Sequence, residues 1–387
     1  MILTGIEWAF LAPILVMSTI FAIETALGLW PLRVRQACAA ASGQPRVAVI
    51  VPAHDEEAGI TATIAALLSD LPSGGCLLVV ADNCGDATAA MARRAGADVI
   101  ERNDPAARGK GYALAFARDH LSADPPDVAI VIDADCRISA GGLRRLAEVA
   151  LARSRPVQAC YLMTPRPNDA PMVQLSGFAF LVKNLIRQRG LARIGAPAIL
   201  TGSGMGFPWP IFAQAPLATS DIVEDLGLGI ALARRGQSPL FVEDVTILSD
   251  PSSAGGTLAQ RRRWEHGFLA TARRAAPSLL MSGQWGTAWL GLHVLVPPLA
   301  LLMMINSLIL FVLAIIAGLG GPIPPLFVLC GLLAITLLLV GAVWTHARDQ
   351  IRAAALLRVP LYMLWKLPIY LSGITRRERH WIRTRRD

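Results

Sequence analysis

The sequence predicts an α/β domain built on a mostly parallel sheet and flanked by transmembrane helices. Three observations predict it. Between about residues 46 and 248, short apolar runs alternate with stretches of helical period, the signature of βαβ units. One of those runs, residues 128–132, stops abruptly at Asp133 and Asp135. Apolar stretches of membrane-spanning length lie on either side, over residues 8–30, 289–317 and 326–343.

The run V-A-I-V-I at 128–132 reads as a strand buried on both faces, as in a parallel sheet covered by helices. Asp133 and Asp135 follow two apart, so a persisting strand geometry points both carboxylates to one side. Open α/β sheets bind ligands beyond the carboxyl ends of their strands. Two hard oxygen donors there suit Mg²⁺ or Mn²⁺, a cation that takes substrate phosphates as further ligands. Taken alone, a D-x-D is more often an Asp-rich turn in water, because the pattern is common.

The other elements follow in order. Residues 8–30 are apolar except for Glu24, long enough to span and lacking the basic front end of a cleaved signal peptide. Glu7 precedes the segment and Arg33 and Arg35 follow it, which puts residue 33 in the cytoplasm by the positive-inside rule. Strands are expected at 47–51, 77–81, 98–100, 128–132 and 157–162. Helices are expected at 58–68, 87–95, 111–120, 141–152, 173–189 and 221–236. The first, second and fourth strands each run into a polar, acid-containing loop, and that convergence makes a site. Arg108 and Lys110, in a glycine-flanked loop, can reach phosphate or ribose. T-G-S-G-M-G at 201–206 reads as a flexible loop that exposes its backbone. Residues 258–281 mix arginines with aromatic and aliphatic positions, as in a helix lying on a membrane surface. Pro297, Pro298 and Asn306 imply that the span over 289–317 is kinked. Residues 353–375 hold Arg358, Pro360, Lys366 and Pro368, and spanning would export the arginine-rich stretch 376–387, so an interfacial helix is expected.

Composition agrees. The 387 residues are 54% hydrophobic, with a mean hydropathy of +0.49, too apolar for an ordinary soluble protein. The net charge of +8 is carried by arginine, since Lys110, Lys183 and Lys366 are the only lysines. That charge suits anionic lipid and phosphorylated substrates; no nucleic-acid-binding module accompanies it. Six cysteines (Cys38, Cys76, Cys84, Cys136, Cys160 and Cys330) form no C-x-x-C, which favours a reducing compartment over disulfides or a zinc site.

Together, V-I-V-P-A-H-D-E-E (49–57), V-V-A-D-N-C-G-D-A-T (79–88), R-G-K-G-Y-A-L (108–114), D-A-D (133–135), V-E-D (223–225) and Q-R-R-R-W (260–264) stand in a telling order. The series resembles the membrane-bound family-2 glycosyltransferases with a GT-A catalytic domain, the group that includes cellulose, hyaluronan and chito-oligosaccharide synthases. The resemblance implies a GT-A-type fold and a nucleotide-sugar donor. It implies that Asp135 and Asp133 hold the metal on the donor diphosphate, that Asp82 binds the nucleoside, and that Ala53, His54 and Glu56 line the base pocket. It points to Asp225, with Glu224 beside it, as the general base for the acceptor hydroxyl. Gln260, Arg263 and Trp264 fall at i, i+3 and i+4 on one helix face. Arg263 suits bidentate phosphate contact and Trp264 a platform for an acceptor sugar, uses that similar family members make of them.

Each residue has a plainer reading on its own. Asp82 serves as a turn former, Glu224 and Asp225 as first-turn acids complementing a helix dipole, and 260–264 as a basic surface helix. Lys110 then becomes a solvated charge. His54, His266 and His293 become structural hydrogen-bonders, and Cys84 and Cys136 small residues at the core edge.

The expected organisation is a transmembrane helix (1–32), a cytoplasmic GT-A domain (33–256), an interfacial helix with Q-R-R-R-W (257–284), two transmembrane helices (285–346), and an interfacial helix with a basic tail (347–387). The expected function is inverting, metal-dependent transfer of a sugar from a nucleotide donor, UDP-linked, to a lipid-linked or growing saccharide. The expected setting is envelope or exopolysaccharide assembly at a bacterial inner membrane. A processive β-linked polysaccharide synthase is the alternative within the class, although three spans are few for a polymer tunnel. A non-catalytic sugar-binding membrane scaffold is the alternative outside it.

Overall fold

The computed structural model describes residues 2–33, 45–166, 168–251, 254–348 and 351–375. Arg35, Cys38 and the basic stretch 376–387 lie outside the described residues. The chain divides into two compact units: an α/β unit within 31–164 and 196–251, and a helical unit within 1–30, 165–195 and 252–378.

The α/β unit is built on one eight-stranded mixed sheet. Its strands are β1 (Val47–Ala53), β2 (Cys76–Asp82), β3 (Asp98–Arg102), β4 (Val128–Val131), β5 (Cys136–Ile138), β6 (Val157–Met163), β7 (Met205–Pro208) and β8 (Leu240–Ser249). They lie in the order β3-β2-β1-β4-β7-β6-β8-β5. β3, β2, β1 and β4 are mutually parallel, as are β6 and β8, whereas β7 runs antiparallel to both its neighbours and β5 antiparallel to β8. Helices Ile60–Asp70, Thr88–Arg94, Lys110–Leu121, Gly142–Arg153 and Glu224–Arg234 occupy the connections, with a short helix at Trp209–Ala213. The apolar runs read from the sequence are buried on both faces: all of 47–51 and 128–132 is inaccessible to solvent. Ile50, Val80 and Val131 pack with Leu114, Phe207, Phe212 and Leu232 in one core.

Three strands were not legible in the sequence. β7 is four residues, Met-Gly-Phe-Pro, and forms part of what reads as a flexible glycine loop. β5 has three residues, and β8 is interrupted by Glu243 and Asp244 where its pairing with β6 shifts register. Such strands show neither a long apolar run nor strict alternation.

In the helical unit, Glu7–Gly28, Leu299–Gly318 and Pro324–Trp344 are long and apolar enough to cross a membrane. The latter two turn large apolar side chains outward, with Phe327 69% and Leu338 74% exposed. The single kinked span expected over 289–317 is corrected to two helices, Trp285–Leu295 and Leu299–Gly318. Pro297 and Pro298 lack amide protons and bias the preceding residue to extended backbone, so the helix ends there instead of bending. Helix Val359–Thr375 exposes Leu361, Leu364 and Leu371 and buries Lys366, which is ion-paired with Glu265.

The one acid in the first span, Glu24, is fully buried. Its carboxylate accepts hydrogen bonds from Arg187 Nε (2.7 Å) and Trp289 Nε1 (3.0 Å), and His293 Nδ1 lies 3.0 Å from Oε2. Arg187 ends a π-helical turn, Val182–Arg187, between helices Pro171–Leu181 and Gln188–Ile194. One carboxylate therefore ties together three helical segments distant in sequence. Removing one partner of a buried ion pair leaves an uncompensated charge and costs ~3–5 kcal/mol, whereas apolar replacement of both is often neutral. Glu24→Ala is therefore expected to lower the thermal midpoint in detergent sharply, and Glu24→Leu combined with Arg187→Met to recover most of the loss; a Glu24→Ala melt equal to wild type contradicts this account.

Candidate active site

β1 lies between β2 and β4, with Ala53 opposite Ala81 and Ile50 opposite Val131. The chain runs outward from β1 through β2 to β3, then returns to β4 on the other side of β1. That reversal opens a crevice at the carboxyl ends of β1 and β4, where sheets of this kind bind ligands. Asp82 ends β2, and the loops after β1 and β4 carry His54–Glu56 and Asp133–Asp135.

On the β2 side, Asp82 is only 7% exposed and is ion-paired with Arg102 of β3, whose Nη1 donates at 2.7 Å. The Arg102 guanidinium lies over the ring of Tyr112, 5.5 Å from its centre. His54 Nδ1 is 2.7 Å from the Asp82 carbonyl oxygen, and the Glu56 amide donates to Thr88 Oγ1 at 2.7 Å. Ala53 is buried beside them. The structure thus brings Ala53, His54, Glu56 and Asp82 to adjacent loops. Arg102, which holds the Asp82 side chain, was not singled out by its sequence.

On the β4 side, the Thr63 hydroxyl donates to the Ala134 carbonyl (2.7 Å), and the Cys136 amide closes a turn onto the Asp133 carbonyl (3.0 Å). The Asp133 amide donates to Ser203 Oγ at 3.0 Å. Lys110, the first residue of its helix, pairs with Asp133 and donates to the Gly202 carbonyl at 2.7 Å. Burial works against the lysine charge, but Asp133, Glu224 and Asp225 outweigh it and hold the Lys110 pKa above the usual value.

Gly202 is the meeting point. Its φ of +88° is a conformation that L side chains rarely adopt. A Cβ there would stand 3.4 Å from Lys110 Nζ, 3.5 Å from Asp225 Oδ2 and 3.8 Å from Asp133 Oδ2. Acids far apart in sequence therefore face one space. The loop is fixed from beneath by Gln158 of β6, fully buried, whose Nε2 donates to the Ser203 carbonyl (2.8 Å) and whose Oε1 accepts from the Thr201 amide (2.9 Å). Gln158 was also missed, although a polar residue in the apolar run V-Q-A-C-Y-L was the available signal.

Glu224 and Asp225 open the helix Glu224–Arg234. Burial, then repulsion from Asp225, pushes the Glu224 pKa up to about 8 against the pull of Lys110.

Asp133, Asp135 and Cys136 place one ligand atom each within 4.8 Å of one another. Cys136 is fully buried with its Sγ 3.7 Å from Tyr161 Oη, whereas Asp133 and Asp135 are half-buried, so the two carboxylates are the accessible donors. An oxygen pair at a strand end fits a hard cation such as Mg²⁺ or Mn²⁺. Arg108 is exposed on the loop before Lys110, and the structure does not bring it into this network.

The Q-R-R-R-W residues belong to the helical unit, on helix Ala254–Leu280. Gln260 is buried, and Arg263 and Trp264 are half-buried. The first of the three arginines, Arg261, is the one drawn inward. Its Nε donates to Ser176 Oγ at 2.7 Å, and its guanidinium lies over the rings of Phe180 (5.3 Å) and Trp264 (5.1 Å). His266 Nε2 is 2.7 Å from the Ile369 carbonyl, a structural contact like that of His293.

Residues 45–267 match the family model described as glycosyltransferase like family 2. Uncharacterized glycosyltransferases of Mycobacterium tuberculosis (strain H37Rv) and Mycobacterium bovis are each 38% identical over 118 residues, 29% of this chain and 50% of theirs. The chain spans about half the length of those curated relatives. Among solved structures, a mannosyltransferase from Pyrobaculum calidifontis in complex with GDP-Man and Mn²⁺ superposes with a TM-score of 0.58 at 17% identity, covering 94% of this chain and 99% of that one. Glucosyl-3-phosphoglycerate synthase from Mycobacterium tuberculosis, in complex with Mn²⁺, UDP and phosphoglyceric acid, aligns at 0.40 and 19% identity, covering 58% and 78%. With more than half its length matched by the family model and a GT-A-type sheet carrying its paired acids at the strand ends, the chain belongs to glycosyltransferase family 2.

Proposed function

We propose that the protein is an inverting, metal-dependent glycosyltransferase. It moves a sugar from a nucleotide donor, UDP-linked, to a lipid-linked or growing saccharide in envelope or exopolysaccharide assembly. The site of action is the cytoplasmic face of a bacterial inner membrane, held there by the three apolar helices. One observation carries the reading: Asp133, Asp225 and Lys110 converge on Gly202 at the carboxyl ends of the parallel strands.

In the reaction, an acceptor hydroxyl oxygen bonds to the anomeric carbon as the bond from that carbon to the donor diphosphate breaks. Asp225 takes the acceptor proton; Glu224, which keeps its own proton near neutral pH, does not compete for it. A single displacement with no covalent intermediate inverts the anomeric centre. Lys110 supplies fixed positive charge beside the leaving group, and Gly202 leaves room for the sugar between base and ammonium. Asp133 and Asp135 would hold Mg²⁺ or Mn²⁺, which would supply Lewis-acid neutralisation of the departing diphosphate. Asp82, with Ala53, His54 and Glu56, receives the nucleoside, and Arg108 a phosphate or ribose hydroxyl. For Gln260 and Trp264 we propose acceptor contacts, and for Arg263 a diphosphate contact, on the resemblance of the Q-R-R-R-W series alone.

Purified protein in detergent is expected to release UDP from a UDP-sugar only with Mg²⁺ or Mn²⁺, and to stop on chelation; GDP-mannose in a parallel arm reads out the donor base. Asp225→Asn should lower turnover by ~10²–10⁴-fold while donor binding persists, and full turnover in that variant or in Asp135→Ala would show the roles to be wrongly assigned. With membrane lipid extract as acceptor source, a single added sugar is expected on a gel, and a ladder would mark a processive synthase.

The raised Glu224 pKa has a stability consequence. Its protonated form is favoured by the fold, so its contribution is fully present below its ordinary value of 4.5 and is lost as pH rises to about 8. In chelator, Glu224→Gln should therefore show a flatter thermal midpoint between pH 5 and 8 than wild type; parallel profiles would remove the assignment.

A further inference from the structure

We propose a second metal site: His54, Asp55 and Cys84, on the loops that follow β1 and β2, bind one zinc-class divalent cation. Their ligand atoms lie within 4.8 Å of one another, and all three residues are half-buried, open enough for an ion to enter. The set offers nitrogen, oxygen and sulfur, unlike the paired oxygens of Asp133 and Asp135. Imidazole and thiolate select zinc and its neighbours over magnesium.

The surroundings fix each ligand. His54 Nδ1 faces the Asp82 carbonyl oxygen at 2.7 Å, and a carbonyl only accepts, so Nδ1 carries the proton. The lone pair of the neutral ring is then on Nε2, which faces Asp55 Oδ2 at 3.7 Å. Metal-bound histidines almost always donate their second ring N–H to such a carbonyl or carboxylate. Asp55 is held likewise: the Gly85 amide donates to Oδ1 at 2.7 Å, leaving Oδ2 directed at the imidazole. Cys84 Sγ accepts from the Asp55 amide at 3.5 Å, a contact that strengthens once the thiol has lost its proton, and the thiol donates to the Ala53 carbonyl at 3.6 Å, a bond that a bound cation would replace. Binding would convert the Cys84 thiol to a thiolate and release that one proton to solvent. Three protein ligands leave a fourth position for water.

The consequence for turnover rests on the proposed donor site. His54 stands among the residues assigned there to the nucleoside, so an ion on this trio and the donor compete, and zinc inhibits by raising the donor KM with kcat little changed.

Cobalt(II) tests the site directly. Adding one equivalent to the full-length protein in detergent is expected to give a thiolate-to-cobalt charge-transfer absorption that Zn²⁺ displaces and Mg²⁺ does not. Cys84→Ser and His54→Gln should abolish it and weaken binding by more than the ~10–100-fold of an outer-ligand loss. Cys136→Ser should retain it. No absorption in wild type, or loss in Cys136→Ser with retention in Cys84→Ser, overturns the proposal. A second measurement needs no variant: Zn²⁺ should protect Cys84 from alkylation, read by peptide mass, and an equal rate with and without Zn²⁺ overturns the site. If cobalt binds and Cys84 is protected while donor KM is unchanged, the metal site stands and it is the nucleoside assignment of His54 that fails.

Discussion

The α/β unit depends on keeping several carboxylates close together without letting their repulsion open the structure. Asp133, Glu224 and Asp225 all act on Lys110, the one ammonium buried among them. A like-charge cluster is tolerated only if charge is neutralised by protonation or by a nearby cation. Both occur here. Glu224 keeps its proton, and Lys110 sits on Asp133.

That arrangement explains the shape of the sheet. β1, β2 and β4 run parallel, so their carboxyl ends deliver three acid-bearing loops to one edge. The antiparallel β7 then brings residues 201–204 back along β4, with the Gly204 amide bonded to the Val131 carbonyl at 2.9 Å. Without this reversal the glycine loop would not reach Asp133. The helical unit solves the opposite problem. Helices Leu299–Gly318 and Pro324–Trp344 turn large apolar side chains outward, while two buried acids of the unit stand in matched sets: Glu24 with Arg187, His293 and Trp289, and Glu265 with Lys366. In a lipid environment polar side chains gain most by facing one another.

The sequence made the central strands legible because burial on both faces leaves a continuous apolar run, as at 47–51 and 128–132. The acids at their ends were equally plain, since polar residues interrupt those runs at one place. Pairings made across the sheet were less visible. Arg102 and Asp82 are brought together by the register of β2 with β3, which no local pattern announces. Gln158 reaches residues 201–203 through the pairing of β6 with β7, a strand whose four residues no apolar run announces. Among the three central arginines of Q-R-R-R-W, helical spacing could not tell which would turn inward, because that depends on Ser176 and Phe180, distant in sequence. The prolines at 297 and 298 were recognised as a disturbance, but whether a helix bends or stops depends on what packs on either side.

Gln158 offers a last lesson. Its carboxamide both gives and receives hydrogen bonds while carrying no charge. A glutamate there could not donate to the Ser203 carbonyl, and a lysine could not accept from Thr201. The two bonds that Gln158 makes to residues 201 and 203 therefore carry no titrating group of their own, unlike the Lys110 bond to the Gly202 carbonyl beside them.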